Sequence, residues 1–309
     1  MNSKDEYRQL TFKIDIPVYL SEEWLNCFNS YGYEWDVLFS KNEKNELVGF
    51  WVYAYKRQFL WKRIVMPPFT PYMGPRIFYP SPMKEYERIS FENKVLEDLI
   101  SQLPPFADIH FKWTREYTNW LAFYWNGFRQ QTTYTYLLKP TESLDVLYSG
   151  IKDNMQRQIK KAQKNVEVTR VGSSEGVIKM FQESMSKQVD FVVDTNLLNQ
   201  LHQIAFSKKQ GMILEARDTF GKLLAAIYLL IDQKELLYLY GGYSRQDRDS
   251  GAMSLLFWNA LQMASQMKLA FNFEGSMLRG VEKFFRSFGA KQTPVFTIQK
   301  SKFPFNLLQ

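Results

Sequence analysis

The chain has one cysteine, Cys27, and two histidines, His110 and His202, among 309 residues. A single cysteine leaves no internal disulfide. The three side chains are far apart in sequence, which argues against a structural zinc site and leaves Cys27 as a buried small residue rather than a nucleophile. No GxSxG stretch marks a hydrolase nucleophile turn. No apolar run reaches the length of a membrane-spanning helix. The opening MNSKDEYRQL is polar and charged and lacks the apolar segment of a signal peptide, so a cytoplasmic location is expected. There is no low-complexity tract and no Pro- or Ser-rich linker, so two domains would have to pack tightly. The net charge of +7 permits an anionic ligand without demanding nucleic acid.

What is present is a folded chain with 45% hydrophobic residues and an internal echo in its element order. The first half reads as strands near 36–40, 47–55 and 59–65. The loop MPPFTPYMGP follows, then a helix over 84–102, a strand over 108–114, a helix over 117–126 and a strand over 131–138. The second half reads as strands near 212–217, 222–232 and 235–241. The loop GGYSRQDRDSG follows, then a helix over 251–267, a strand over 269–274, a helix over 279–287 and a strand over 293–299. Without gaps, ADIHFKWT falls on KLAFNFEG and WNGFRQQT on RSFGAKQT. Two domains are expected, 1–143 and 144–309. Between the halves, Ile151, Met155, Ile159 and Ala162 recur at helical spacing. Arg157, Lys160, Lys161 and Lys164 lie on the other face, as a solvated surface or as an anion-facing one.

Each half has the order β–β–β–loop–helix–β–helix–β, which resembles the core of the GNAT acyltransferase fold. The fold class expected is therefore α/β (α+β), two tandem GNAT-like domains, each a mixed, mostly antiparallel sheet flanked by helices. In that fold the loop before the central helix holds the donor pyrophosphate, because a helix N-terminus offers unpaired N–H groups and partial positive charge. The second-half loop carries Arg245, Arg248, Ser250, Gly251 and Ala252. Arg248-x-x-Gly251 resembles the (Q/R)xxGx(G/A) motif, with Met253 at its last small position. A plain loop and helix cap is the competing reading. In the first half, prolines at the same place remove N–H groups, so no phosphate cradle is expected there.

RQIKKAQKNVEV, YLYGGYS, SLLFWNALQMASQMKLAFNFEGS and GVEKFFRSFGA, in that order, resemble the FemAB family of peptidoglycan-bridge aminoacyltransferases and related GNAT-type enzymes. PPFTPYMGP also looks like that family's first-domain loop, and the resemblance covers nearly the whole chain. It implies an acceptor-side first domain and a donor-side, catalytic second domain. It also implies no metal and no permanently bound cofactor, with acyl-CoA or aminoacyl-tRNA as donor. One departure stands out: where many members carry F-K-x-x-F-G, this chain has Phe285 at the lysine position.

The stretch FEGSMLRGVEKFFRSFG then has a candidate role. Glu274 closes an apolar run before Gly275 and Ser276. A carboxylate at that strand end fits a general base that accepts a proton as an amine attacks a carbonyl; a structural pairing or turn cap is the bland alternative. The next helix is expected to turn Met277, Val281, Phe284 and Phe288 inward, with Arg279 and Arg286 off that stripe. Tyr72, Arg76, Arg157, Lys160, Arg279 and Arg286 are the acceptor-binding candidates. The function expected is transfer of an acyl or aminoacyl group to an amine, with a small molecule or cell-wall precursor as acceptor. tRNA and peripheral membrane contact stay open as partners. The alternative is a non-catalytic binding module on a degenerate GNAT scaffold, recognising an anionic cell-wall or nucleotide-sugar ligand.

Overall fold

The computed structural model describes residues 2–58, 61–141, 143–185 and 194–302. Its contacts divide the chain into two units, 1–133 with 294–309, and 134–293. The sequence reading had divided the chain between 143 and 144 and left the C-terminal segment in the second domain.

The first unit contains α1 (Ser3–Thr11), α2 (Glu22–Asn26), β1 (Tyr33–Lys41), β2 (Leu47–Gln58), β3 (Trp61–Ile64), β4 (Arg76–Ile77), α3 (Glu85–Ser101), β5 (Asp108–Lys112) and α4 (Leu121–Trp125). The strand β6 (Arg129–Leu138) begins here. β1 and β2 form an antiparallel hairpin. Its turn is set by Asn42, whose Oδ1 accepts from the N–H groups of Lys44 and Glu46, and by Asn45 at φ 63°. β3 pairs antiparallel with β2 and parallel with β5. The core is aromatic: Trp51 lies 5.0 Å from Phe111 and 5.9 Å from Phe123, ring to ring. At Gly49 a Cβ would stand 2.6 Å from Val95, so the absent side chain is what lets α3 lie against β2.

The second unit holds α5 (Leu144–Ser149), α6 (Asp153–Ala162), β7 (Val166–Val171), α7 (Glu175–Met185), α8 (Thr195–Ser207), β8 (Gly211–Asp218), β9 (Leu223–Ile231), β10 (Glu235–Tyr243), α9 (Ala252–Gln266), β11 (Ala270–Asn272) and α10 (Arg279–Arg286), and the strand β12 (Lys291–Ser301) starts in it. Its strands run β7-β8-β9-β10-β11-β6, and of these pairs only β10 with β11 is parallel. β9 is an unbroken apolar run, as a strand covered on both faces requires. α9 buries nine of its residues, among them Leu256, Phe257 and Leu261, against the sheet. β7, α7 and α8 had no counterpart in the sequence reading. β7 alternates charged and half-exposed residues, which hides an edge strand from an apolar-pattern search.

The halves do repeat. β1-β2-β3-α3-β5-α4-β6 corresponds to β8-β9-β10-α9-β11-α10-β12. The last strands are exchanged in sequence. β12 closes the first unit by pairing with β5, Ile298 opposite Phe111, and β6 closes the second by pairing with β11, Leu137 opposite Asn272. The ungapped alignment of ADIHFKWT on KLAFNFEG is one residue out. Gly127 and Gly289 end α4 and α10 in the same left-handed conformation, φ 76° and 77°. Their N–H groups donate to the equivalent carbonyls of Tyr124 and Arg286. With that match Phe111 corresponds to Phe273, and each packs on the helix aromatic of its own half, Phe123 at 5.7 Å and Phe285 at 5.1 Å. A one-residue slip would turn each strand's inward set outward.

Candidate active site

The site begins where two parallel strands part. β10 and β11 pair at Glu235–Ala270, Leu236–Phe271 and Leu237–Asn272. β11 then ends, while β10 runs on to Tyr243 with β9 alone, among the described residues, as its strand partner. An irregularity between Tyr238 and Tyr240 sharpens the divergence. Because of it, Tyr238 packs on Phe257 of α9 (5.0 Å), whereas Tyr240 packs on the other face, against Phe181 of α7 (5.0 Å).

Glu274 lies just past the end of β11, half-buried, at φ 61°. A non-glycine residue in that region carries backbone strain that the surroundings must hold in place. Two features do so. The Glu274 N–H donates to Asn272 Oδ1 at 2.9 Å. At Gly275 a Cβ would stand 2.0 Å from the Tyr134 carbonyl oxygen, so only glycine lets the turn close on β6. Behind it is a buried polar cluster that the sequence reading missed. Asn272, fully buried, donates through Nδ2 to both Glu235 carboxylate oxygens at 3.1 and 3.0 Å and accepts from Thr135 Oγ1 at 2.6 Å. The signal was one asparagine within the apolar run LAFNF.

In the donor-loop candidate, a 3-10 turn over Arg248–Ser250 leads through Gly251 (φ 76°) into α9. The first bond within the helix runs from Leu255 N–H to Gly251 O, 3.0 Å. Ser250 Oγ accepts the Ala252 N–H at 3.2 Å, and Ala252 itself is buried. At Gly251 a Cβ would stand 2.8 Å from the Gln158 carbonyl of α6, so packing alone requires glycine there. Gln158 also accepts from Ser254 Oγ (3.0 Å), and Lys161 Nζ donates to the Asp249 carbonyl (3.2 Å), so α6 braces this loop. Arg248 is exposed. Arg245 is half-buried and tied to α7: its N–H donates to Glu183 Oε1 (2.8 Å) and its guanidinium to the Ser184 carbonyl (3.3 Å). Lys222 pairs with Asp247 at 2.6 Å and, with Ser244, holds that carboxyl below its usual range.

The basic face of α6 is present. Met155, Ile159 and Ala162 are buried, and exposed Arg157 and Lys160 line an open depression with Asp153 and Gln156. On α10, Arg279 is exposed, while Arg286 forms an ion pair with Glu282 (2.8 Å), which also accepts from Tyr136 Oη (2.7 Å). Arg286 and then Tyr136 hold the Glu282 carboxyl below its usual range. The inward stripe of α10 differs from the one expected. Phe284 and Phe288 pack inward, but Met277 is 66% and Val281 37% exposed, and Phe285 is buried between Tyr238 (5.9 Å) and Phe273 (5.1 Å). The position of the family lysine thus lies inside an aromatic cluster. In the first unit Tyr72 is buried, with Lys112 Nζ 5.0 Å from its ring. Arg76 is half-buried, in the field of Tyr19, Tyr117, Glu116 and Tyr7. Among the described residues no group of three or more His, Cys, Asp or Glu side chains could hold a metal ion. No helix among them is long and apolar enough to cross a membrane.

Parted parallel strands, a helix N-terminus beyond them and a repeated element order define a tandem GNAT-like fold. Residues 150–286 match the family described as "Acetyltransferase (GNAT) domain". Among solved structures the chain is similar to FemX at 11% identity and TM-score 0.67, over 89% of this chain and 90% of that one. It is similar to L-PGS from Bacillus licheniformis at 9% identity and TM-score 0.57, over 98% and 94%. A third is a tandem GNAT protein from the clavulanic acid biosynthesis pathway, at 9% identity and TM-score 0.51, over 87% and 82%. No curated protein matches the chain by sequence.

Proposed function

We propose that this chain transfers an acyl or aminoacyl group from acyl-CoA or aminoacyl-tRNA to an amine, with a cell-wall precursor as the favoured acceptor class. The observation that carries the reading is the parting of β10 and β11 with Glu274 held at the open end. The edge of β10 from which β11 parts is where the backbone of an extended donor arm would pair. The N-terminus of α9, with exposed Arg248 beside it, suits the donor's phosphates. The amine nitrogen attacks the acyl carbon, the thiolate or ribose oxygen leaves, and Glu274 takes the amine's proton. Positioning and proton removal supply the rate. Arg157, Lys160 and Arg279, exposed cations of the second unit, suit an anionic acceptor. Arg286, already paired with Glu282, is the weakest of the set. The similarity to FemX and L-PGS supports the choice of donor and acceptor classes through fold alone.

A second reading, a binding module without turnover, is favoured by one observation: Phe285 places an aromatic ring where related transferases carry a lysine. The test separates the two. Thermal shifts with acetyl-CoA, longer acyl-CoAs and alanyl-tRNA identify the donor, and transfer to a panel of amines and cell-wall precursors follows. The transferase reading expects turnover that falls about 10²–10⁴-fold in Glu274→Gln with donor binding retained. Full activity in that variant removes Glu274 as the base. Saturable binding without turnover on any acceptor selects the binding module.

A further inference from the structure

Asn272 sits at the last pairing of the two parting strands, and its amide orientation is fixed by its neighbours. Nδ2 faces the two Glu235 oxygens, at 3.1 and 3.0 Å. Oδ1 faces the Thr135 hydroxyl at 2.6 Å and the Glu274 N–H at 2.9 Å. Turning the amide over would set a carbonyl against a carboxylate and an NH₂ against an N–H, losing the two Glu235 contacts and the Glu274 contact, with only the Thr135 hydroxyl able to turn and accept. Asn272 and Thr135 are fully buried and Glu235 nearly so, which raises the cost of any mismatch. The group held by this cluster is the backbone of Glu274, in the left-handed conformation at φ 61°.

We infer that Asn272 is a positioning residue: oriented by Glu235 and Thr135, it fixes the backbone of Glu274, and so aims the carboxylate at the opening between β10 and β11. The inference rests on the reading of Glu274 as base. It adds a requirement that base strength alone would not impose. The strained turn must be clamped, because a shift of about 1 Å at a reacting group costs on the order of 10²-fold in rate.

The test uses the whole chain. Asn272→Ala removes the clamp but leaves the Glu235 carboxylate without two donors and risks misfolding. The double variant Asn272→Leu/Glu235→Leu removes the carboxylate together with the amide that donates to it, so no buried charge is left without its donors; the Thr135 hydroxyl and the Glu274 N–H lose their acceptor, and thermal unfolding checks that the variant is folded. Two readouts are taken on it: amide hydrogen exchange at Glu274 by NMR, and steady-state kinetics with the donor–acceptor pair found by the assay above. The expected result is exchange at Glu274 faster by about tenfold, with kcat lower by about 10²-fold and the donor KM unchanged. Thr135→Val, which keeps Oδ1 on the Glu274 N–H, should retain most of kcat. Unchanged exchange, or an unchanged kcat alongside faster exchange, overturns the positioning role. If Glu274→Gln keeps full activity, the base reading falls separately and exchange alone decides whether Asn272 clamps the turn. If no pair turns over, the exchange result decides in the same way.

Discussion

Gly289 passes so close to Gly150 that a Cβ on it would stand 2.4 Å from the Gly150 carbonyl oxygen. Its repeat partner Gly127 shares the left-handed conformation, but there the nearest neighbour of an added Cβ is the end of Lys300, 3.9 Å away. The two alanine substitutions therefore separate backbone strain from crowding. Gly127→Ala should cost about 1 kcal/mol, the left-handed penalty alone. Gly289→Ala adds overpacking against backbone and should cost about 2–4 kcal/mol. Urea unfolding of both variants measures the difference, and equal costs would mean that the turn between α5 and α6 yields freely.

Phe285 decides whether the family lysine can be restored by substitution. Its ring is 3% exposed and contacts Tyr238, Phe257 and Phe273. Phe285→Lys should destabilise the protein by on the order of 4 kcal/mol, combining a lost aromatic with a poorly solvated ammonium. Phe285→Leu should cost much less, about 1 kcal/mol. Chemical denaturation of the pair provides the measurement. A lysine variant of near-native stability would mean that α10 can rotate to carry its charge outward.

The order of the repeat could be read from the sequence because it depends on local apolar patterning. The strands and helices of both halves lie close to where that patterning put them. Its register was read one residue out: the ungapped match sets Phe111 on Asn272, whereas a shift of one residue sets Ile109 on Phe271, Phe111 on Phe273 and Gly127 on Gly289. The inward face of α10 was also misjudged: Met277 lies before the first helical residue, Arg279, and Phe285 rather than Val281 faces the core. The placement of Glu274 at a strand end, and of residues 248–252 at a loop leading into a helix, was visible. The Glu235–Asn272–Thr135 cluster was not, because its members are 37 and 137 residues apart and meet only through strand pairing. That Gly251 also admits the backbone of α6 could not be read from the sequence.

The two arginines of the proposed donor loop should separate binding from stability. Arg248 is exposed, so Arg248→Ala should weaken binding of the cognate acyl-CoA about tenfold, the loss of one charge-assisted contact, and leave unfolding unchanged. Arg245 holds the Ser184 carbonyl, so Arg245→Ala should cost up to about 1 kcal/mol of stability. Calorimetric titration and thermal unfolding of the same preparations provide both readings. Unchanged donor affinity in Arg248→Ala would remove it from the donor site.

His202 gives the fold a pH dependence whose sign is fixed by burial. Its Nε2 is 2.9 Å from the Gly172 carbonyl, which can only accept, so Nε2 carries the proton; Nδ1 then accepts from the Tyr228 hydroxyl at 3.3 Å. Burial pushes the His202 pKa below its ordinary 6.5, against a smaller upward pull from the Gly172 carbonyl. His110 shifts the same way, through burial first, with Arg63 adding to it and Asp108 opposing. A histidine depressed on folding is protonated first in the unfolded chain. Stability is therefore full above about pH 7, falls as the pH drops through the unfolded-state value near 6.5, and levels off below the folded-state value. The slope from each histidine cannot exceed about 1.4 kcal/mol per pH unit. His202→Gln, which keeps an N–H able to reach Gly172, should remove the His202 share of the slope between pH 7 and 5.5. Urea midpoints across that range test it. A variant with the parent's full slope would assign the whole dependence to His110 and the carboxylates.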